Sequence, residues 1–141
     1  TYTRISLFDD DVAPGGTDLD LYVYQGATQV GASTSGTSAE EVSFTFGTPT
    51  ASPLTLVAYV HGWGVPAGST PFALHLWNLG TADAGTMIVT EPATASIGGS
   101  GTVNISFSGL APSTRYLGSV VYSGATGMPS PTIIRVDTPA P

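Results

Sequence analysis

The chain is 141 residues long, room for one ordinary domain or two small ones, and carries a net charge of −7 with no lysine. Only 9 % of its residues are charged, against about 25 % in an average globular chain. This balance argues against nucleic-acid binding and docking on anionic membranes, both of which need basic residues, and the lack of cysteine excludes a disulfide scaffold or a thiolate metal site.

Hydrophobic residues make up 41 % of the chain, enough to bury a core. They alternate with a period of two, and Gly and Pro punctuate them at short intervals, which is the all-β pattern. Thr3–Phe8 is the first expected strand, with Ile5 and Leu7 on one face. Leu19–Tyr24 follows, with Leu19, Leu21 and Val23 on one face and Asp20, Tyr22 and Tyr24 on the other. Thr28–Ala32 is short. Glu41–Phe46 points Val42, Phe44 and Phe46 one way. Leu54–His61 points Leu54, Leu56, Ala58 and Val60 inward, and Phe72–Asn78 does the same with Phe72, Leu74 and Leu76. These strands suffice for a small sandwich or jelly roll over residues 1–80.

The small, polar stretch LGTADAG (Leu79–Gly85) is a boundary. Beyond it, strands are expected at Met87–Thr90, Thr102–Ser108, Arg115–Ser123 and Thr132–Asp137, in a unit spanning 86–141. LAPSTRY (Leu110–Tyr116) has the form L-x-P-x-T-x-Y at a strand entry. A tyrosine there can fold back onto the upstream backbone, as in the tyrosine corner of immunoglobulin-like sandwiches. The second unit therefore resembles part of a fibronectin type III domain. The fold expected overall is all-β: an antiparallel sandwich followed by a short immunoglobulin- or fibronectin III-like unit.

No catalytic constellation stands out, and the chain is expected not to be an enzyme. GTSA (Gly36–Ala39) echoes the run around the nucleophilic serine of subtilisin-like proteases, but it leads into Glu40–Glu41 and a strand instead of a buried helix. His61 and His75 lie on separate strands without a third nitrogen ligand, short of a zinc site, and are read as structural or surface residues. Glu40 and Glu41 are neighbours on a strand and face opposite ways, which does not suit a glycosidase pair. Asn104-Ile-Ser is a formal glycosylation sequon inside an expected strand.

The acidic residues are unevenly placed. Asp9, Asp10, Asp11, Asp18 and Asp20 crowd one end of the chain. On a strand, Asp18 and Asp20 would share a face roughly 6.7 Å apart, repelling by about 0.6 kcal/mol in water and about 2.5 kcal/mol at an effective dielectric near 20. Two solutions exist. The carboxylates splay into water, or a hard cation such as calcium collects them with nearby carbonyls. A second uneven feature is aromatic. Tyr22 and Tyr24 share one strand face, and Tyr59, His61 and Trp63 alternate on another strand. Exposed, such rings form a platform for an insoluble polymer, collagen or polysaccharide; buried, they cover a second sheet.

SLFDDDVAPGGTDLDLYVYQG, GTSAEEVSF, LVAYVHGWG and FALHLWNLG together resemble a secreted family: the C-terminal accessory region of bacterial subtilisin-like serine peptidases, a pre-peptidase C-terminal (PPC-like) sandwich followed by a fibronectin III-like tail. SGLAPSTRYLGSVVY fits the same setting. The resemblance implies a non-catalytic module, attached behind the protease domain as its partner and stabilising the enzyme. Some related jelly-roll extensions bind calcium through aspartates, and that role is carried onto Asp9, Asp11, Asp18 and Asp20. The alternatives are a polymer-binding module acting through Tyr22, Tyr24, Tyr59 and Trp63, or a structural spacer of adhesin type. The low charge and the Gly, Ser, Thr and Pro richness suit an extracellular location, and an opening on Thr-Tyr-Thr-Arg reads as a processed or excised piece of a longer protein.

Overall fold

The computed structural model describes residues 1–47, 53–94, 96–124 and 126–141. The fold is all-β with antiparallel sheets. Among the described residues the helical structure is one short 3-10 turn, and no helix is long and apolar enough to cross a membrane. The chain divides into two compact units, Thr1–Gly80 and Thr81–Pro141, within the LGTADAG stretch.

The first unit holds six strands: β1 (Tyr2–Ser6), β2 (Asp18–Gln25), β3 (Thr28–Ser33), β4 (Glu41–Thr45), β5 (Val57–Gly64) and β6 (His75–Leu79). They form two three-stranded sheets, ordered β4–β1–β6 and β3–β2–β5. Alternation along β2 sends Leu19, Leu21 and Val23 into the space between the sheets, where they meet Ile5, Leu7 and Val42. Val12, Phe44, Leu56, Ala58, Val60 and Val65 pack around this cluster. β1 stops at Ser6, short of the expected Phe8, because the chain turns there: Asp11 N donates to Phe8 O at 3.1 Å and Val12 N to Asp9 O at 3.3 Å.

One side of the sandwich is closed by the β3–β4 connection. Gly31 permits it, because a Cβ at that position would collide with the Val42 and Phe44 side chains. Beyond β4 the ladder continues, with Leu7 N donating to Glu40 O at 2.9 Å and Glu40 N to Leu7 O at 3.2 Å. The other side, between edge strands β5 and β6, is open. A cleft of about 710 Å³ lies there, lined by Ile5, Phe46, Leu56, Ala58, Leu74 and Leu76 among others. Here the expected inward packing of Leu54, Phe72, Leu74 and Leu76 is corrected. Leu76 lies in register with Ile5 and so on the inner face, yet it remains 65 % exposed, and the other three are exposed as well. Alternation gave the face of Leu76, whereas Leu54, Phe72 and Leu74 precede β5 and β6.

The second unit holds β7 (Met87–Thr90) paired with β8 (Asn104–Phe107), and β9 (Arg115–Val120) paired with β10 (Thr132–Asp137). Met87 contacts the position a Gly118 side chain would take, joining the two pairs. The hydroxyl of Tyr116 accepts a hydrogen bond from Ala111 N at 2.8 Å, the fold-back expected of LAPSTRY. Thr138 pins the same corner: its hydroxyl donates to Ala111 O at 2.6 Å and accepts from Thr114 N at 2.9 Å.

Candidate functional site

The alternation that buries Leu19, Leu21 and Val23 must turn Asp20, Tyr22 and Tyr24 to the outer face of the β3–β2–β5 sheet. On the neighbouring β5, Tyr59 lies opposite Tyr22 and His61 opposite Asp20. A register shift at Asp18/Leu19 pairs Leu19 with Gly62 and Asp18 with Gly64, so Trp63 is the extra residue of a bulge. Bulges re-aim side chains, and Trp63 projects outward, 74 % exposed.

The result is a row of mutually braced rings. Tyr24 and Tyr59 meet edge to face with centroids 5.4 Å apart, Tyr22 and His61 at 6.4 Å, and His61 and Trp63 at 6.3 Å. Tyr59 is 57 % exposed. An open hollow of about 640 Å³ runs along this face, lined by Tyr22, Tyr24, Gly26, Ala27, Tyr59 and His61 among others. Tyr24 Oη donates to Gln29 Oε1 at 3.1 Å, which fixes the ring against β3. The four aromatic residues singled out in the sequence, Tyr22, Tyr24, Tyr59 and Trp63, thus share one sheet face, joined by His61.

Asp20 sits beneath the rings, buried. Tyr22 Oη donates to its Oδ2 at 3.2 Å, and His61 Nδ1 lies 3.4 Å from the same oxygen. A buried carboxylate needs such donors. Burial, then the Asp20 charge and the hydrogen bond to it, raise the Tyr22 phenol above its ordinary 10.0. The folded state therefore holds this proton more tightly than the unfolded chain does. The linked stability is complete below the ordinary phenol range and is lost as pH rises through the folded value. In a spectrophotometric titration of the tyrosines, Tyr22 is expected among the last to ionise, and Asp20→Asn brings one tyrosine back toward the ordinary range. An Asp20→Asn titration identical to wild type would contradict this coupling.

Of the four aspartates expected to share a cation, Asp9 and Asp11 lie on the turn after β1, and Asp18 and Asp20 on β2. Asp9, Asp10 and Asp11 form the 3-10 turn. Asp11 Oδ2 accepts from His75 Nε2 at 2.8 Å, on the outer side of the β4–β1–β6 sheet. Asp20 belongs to the opposite sheet and is engaged by Tyr22 and His61. Asp18 Oδ1 is buried and makes no hydrogen bond among the described residues. Among the described residues no three or more His, Asp or Glu groups converge as metal ligands.

The remaining candidates have structural partners. The Ser38 hydroxyl donates to Thr17 O at 2.9 Å and accepts from Leu19 N at 3.1 Å, so it anchors the start of β2. Glu40 and Glu41 face opposite ways: Glu41 pairs with Arg4 at 3.1 Å, and Glu40 is 1 % exposed. Both Glu40 oxygens accept hydrogen bonds, Oε2 from the Ser33 hydroxyl and Oε1 from Ser35 N and Ser35 Oγ at 2.6 Å each. Asn104 is the first residue of β8. A second ring cluster, not singled out in the sequence, lies on the other sheet: Phe8 against His75 at 5.1 Å and His75 stacked on Trp77 at 5.6 Å. The i, i+2 spacing of His75 and Trp77 was its signal. Searches of protein-family models, curated proteins and solved structures find no match to this chain.

Proposed function

We propose that the chain is a non-catalytic accessory module that holds a larger exported protein on an extended polymer, through the outer face of the β3–β2–β5 sheet. The observation that carries this reading is the row Tyr24–Tyr59–Tyr22–His61–Trp63, in which Tyr59, His61 and Trp63 are exposed and Tyr22 and Tyr24 half-buried, built by the β2–β5 register and completed by the Trp63 bulge. Water-facing rings are costly to leave uncovered, and a contiguous exposed apolar patch marks an interaction site. The rings are also held in place before any ligand arrives, by Gln29, Asp20 and one another, so little ordering entropy remains to be lost on binding. In the setting implied by the family resemblance, the partner is the catalytic domain of a secreted subtilisin-like protease, which the module would keep on its substrate matrix.

The test is adsorption of the 141-residue chain to insoluble polymer. Retention is expected, and the double variant Tyr59→Ala/Trp63→Ala is expected to lose about tenfold in affinity, since it removes the apolar area that two exposed rings would bury against the polymer. Both residues are exposed, so the fold is expected to survive, with a circular dichroism spectrum unchanged. Equal retention of variant and wild type would remove this face from the function.

A further inference from the structure

Resting on that reading of the face, we infer that the polymer it holds is a polypeptide, of which a basic extended segment adds as a strand to the free edge of β5 and lays its lysine or arginine side chains against the rings. Charge, ring geometry and the sheet edge each support this.

The first unit holds seven of the chain's ten acidic residues and one of its three arginines. That arginine, Arg4, pairs with Glu41 on the other sheet. Beneath the ring row lies Asp20, a buried carboxylate held by the Tyr22 phenol and the His61 imidazole. A buried charge is screened by salt less than an exposed one. The face therefore presents a negative potential, which draws in a basic partner and turns away an acidic one.

The rings do not form a flat platform. Tyr24 and Tyr59 stand at 89° to one another, Tyr22 and His61 at 63°, and His61 and Trp63 at 68°. Rings so inclined act as walls, and Tyr22, Tyr24, Tyr59 and His61 line the hollow of about 640 Å³ on this face. The face of an aromatic ring is negative. A cation within about 6 Å of its centroid is attracted to it, tryptophan being the best partner and tyrosine next. Tyr59 and Trp63, both exposed, remain open to such a guest.

The sheet edge selects the polypeptide. β5 pairs with β2 on one side and, among the described residues, with no strand on the other. An edge strand presents a row of unpaired N–H and C=O groups, ready to bond an added chain. On an antiparallel neighbour, the residue opposite Tyr59 would place its Cβ about 4.5–5.5 Å away on the same face. Residues two apart on that strand share the face. A segment with a basic residue at every second position thus meets the row with successive cations, while its backbone completes the edge. A free amine or a cationic polysaccharide brings no peptide backbone to it.

The test compares the 141-residue chain with Tyr59→Ala/Trp63→Ala, which keeps every charge, on four immobilised probes. These are an alternating Lys-Thr peptide, the same peptide N-methylated along its backbone, an alternating Gln-Thr peptide, and chitosan. The expected result is retention on the unmethylated Lys-Thr peptide above the other three, weakened by salt and reduced about tenfold in the variant. Equal retention of variant and wild type on that peptide would mean that net charge alone binds it, and would overturn the inference. Retention on the Gln-Thr peptide as strong as on Lys-Thr would overturn cation recognition. Equal retention on the methylated peptide or on chitosan would overturn strand addition. If no probe is retained while the double variant still loses adsorption to insoluble polymer, the inference falls and the reading of the face stands. If the variant alters neither, both fall.

Discussion

Replacing Glu40 with alanine is expected to lower the unfolding free energy by about 3–5 kcal/mol. The side chain is 1 % exposed, and its carboxyl group is the acceptor for the Ser33 hydroxyl, the Ser35 hydroxyl and the Ser35 amide. Hydrogen bonds to a charged group are worth about 1.5–3 kcal/mol each. The backbone of Glu40 meanwhile extends the β1–β4 ladder through Leu7, so the damage falls where the sandwich closes. Glu40→Gln keeps the shape and one carbonyl acceptor, and the Ser33 hydroxyl can turn to accept from the new amide; a smaller loss of about 1–2 kcal/mol is expected. Urea unfolding of both variants measures this. A shift in midpoint at constant slope reports stability alone. An alanine variant within about 1 kcal/mol of wild type would show that the cage around this carboxyl does not hold the loop.

The second large effect contrasts two leucines that alternation treats alike. Leu21 is 0 % exposed and lies at the centre of the cluster formed with Ile5, Leu7, Leu19, Val23 and Val42. Leu21→Ala is expected to cost about 2–5 kcal/mol, the transfer term plus the cavity left behind. Leu76 lies on an inner face as well, in register with Ile5, but borders the open cleft between β5 and β6. Leu76→Ala removes mostly solvated surface and is expected to cost less than about 1 kcal/mol. The same denaturation series reads both. Equal losses would mean that the cleft is closed in solution, and that the two sheets meet along that side.

This pair also shows what the sequence could disclose. Alternation located the strands in both units and, along β2, identified the buried set Leu19, Leu21 and Val23. It assigned faces because a period of two is a local property. Whether a face is covered depends on where a second sheet ends, which no local pattern encodes; Leu76 was misjudged for that reason, and Leu54, Phe72 and Leu74 because they precede β5 and β6. The aspartates show the same limit. Asp11 and Asp20 are near in sequence, but the turn at Asp9–Asp11 belongs to the His75 side and β2 to the opposite sheet. Glu40 was hidden because glutamate is seldom buried, and its cage is made by Ser33 at the end of β3 and Ser35 in the loop that follows. Tyr116 was legible because its partner, Ala111, lies within the same motif. The aromatic face was legible in part. Tyr22 and Tyr24 follow from the β2 pattern, whereas the approach of Tyr59 depends on register and the projection of Trp63 on a bulge.

Two ring clusters compete for the role of ligand surface: the row on the β3–β2–β5 sheet and the Phe8–His75–Trp77 group on the other. They differ in exposure. Trp63 stands out of its bulge, whereas Trp77 is half-buried against His75. Chemical-shift mapping of the isotope-labelled chain during titration with a soluble alternating Lys-Thr peptide separates them in one experiment. The account predicts saturable shifts at the Trp63 indole N–H and at the backbone amides of Tyr22, Tyr24, Tyr59 and His61, with the Trp77 indole unmoved. Shifts confined to Phe8, His75 and Trp77, or none at saturating peptide, would contradict it.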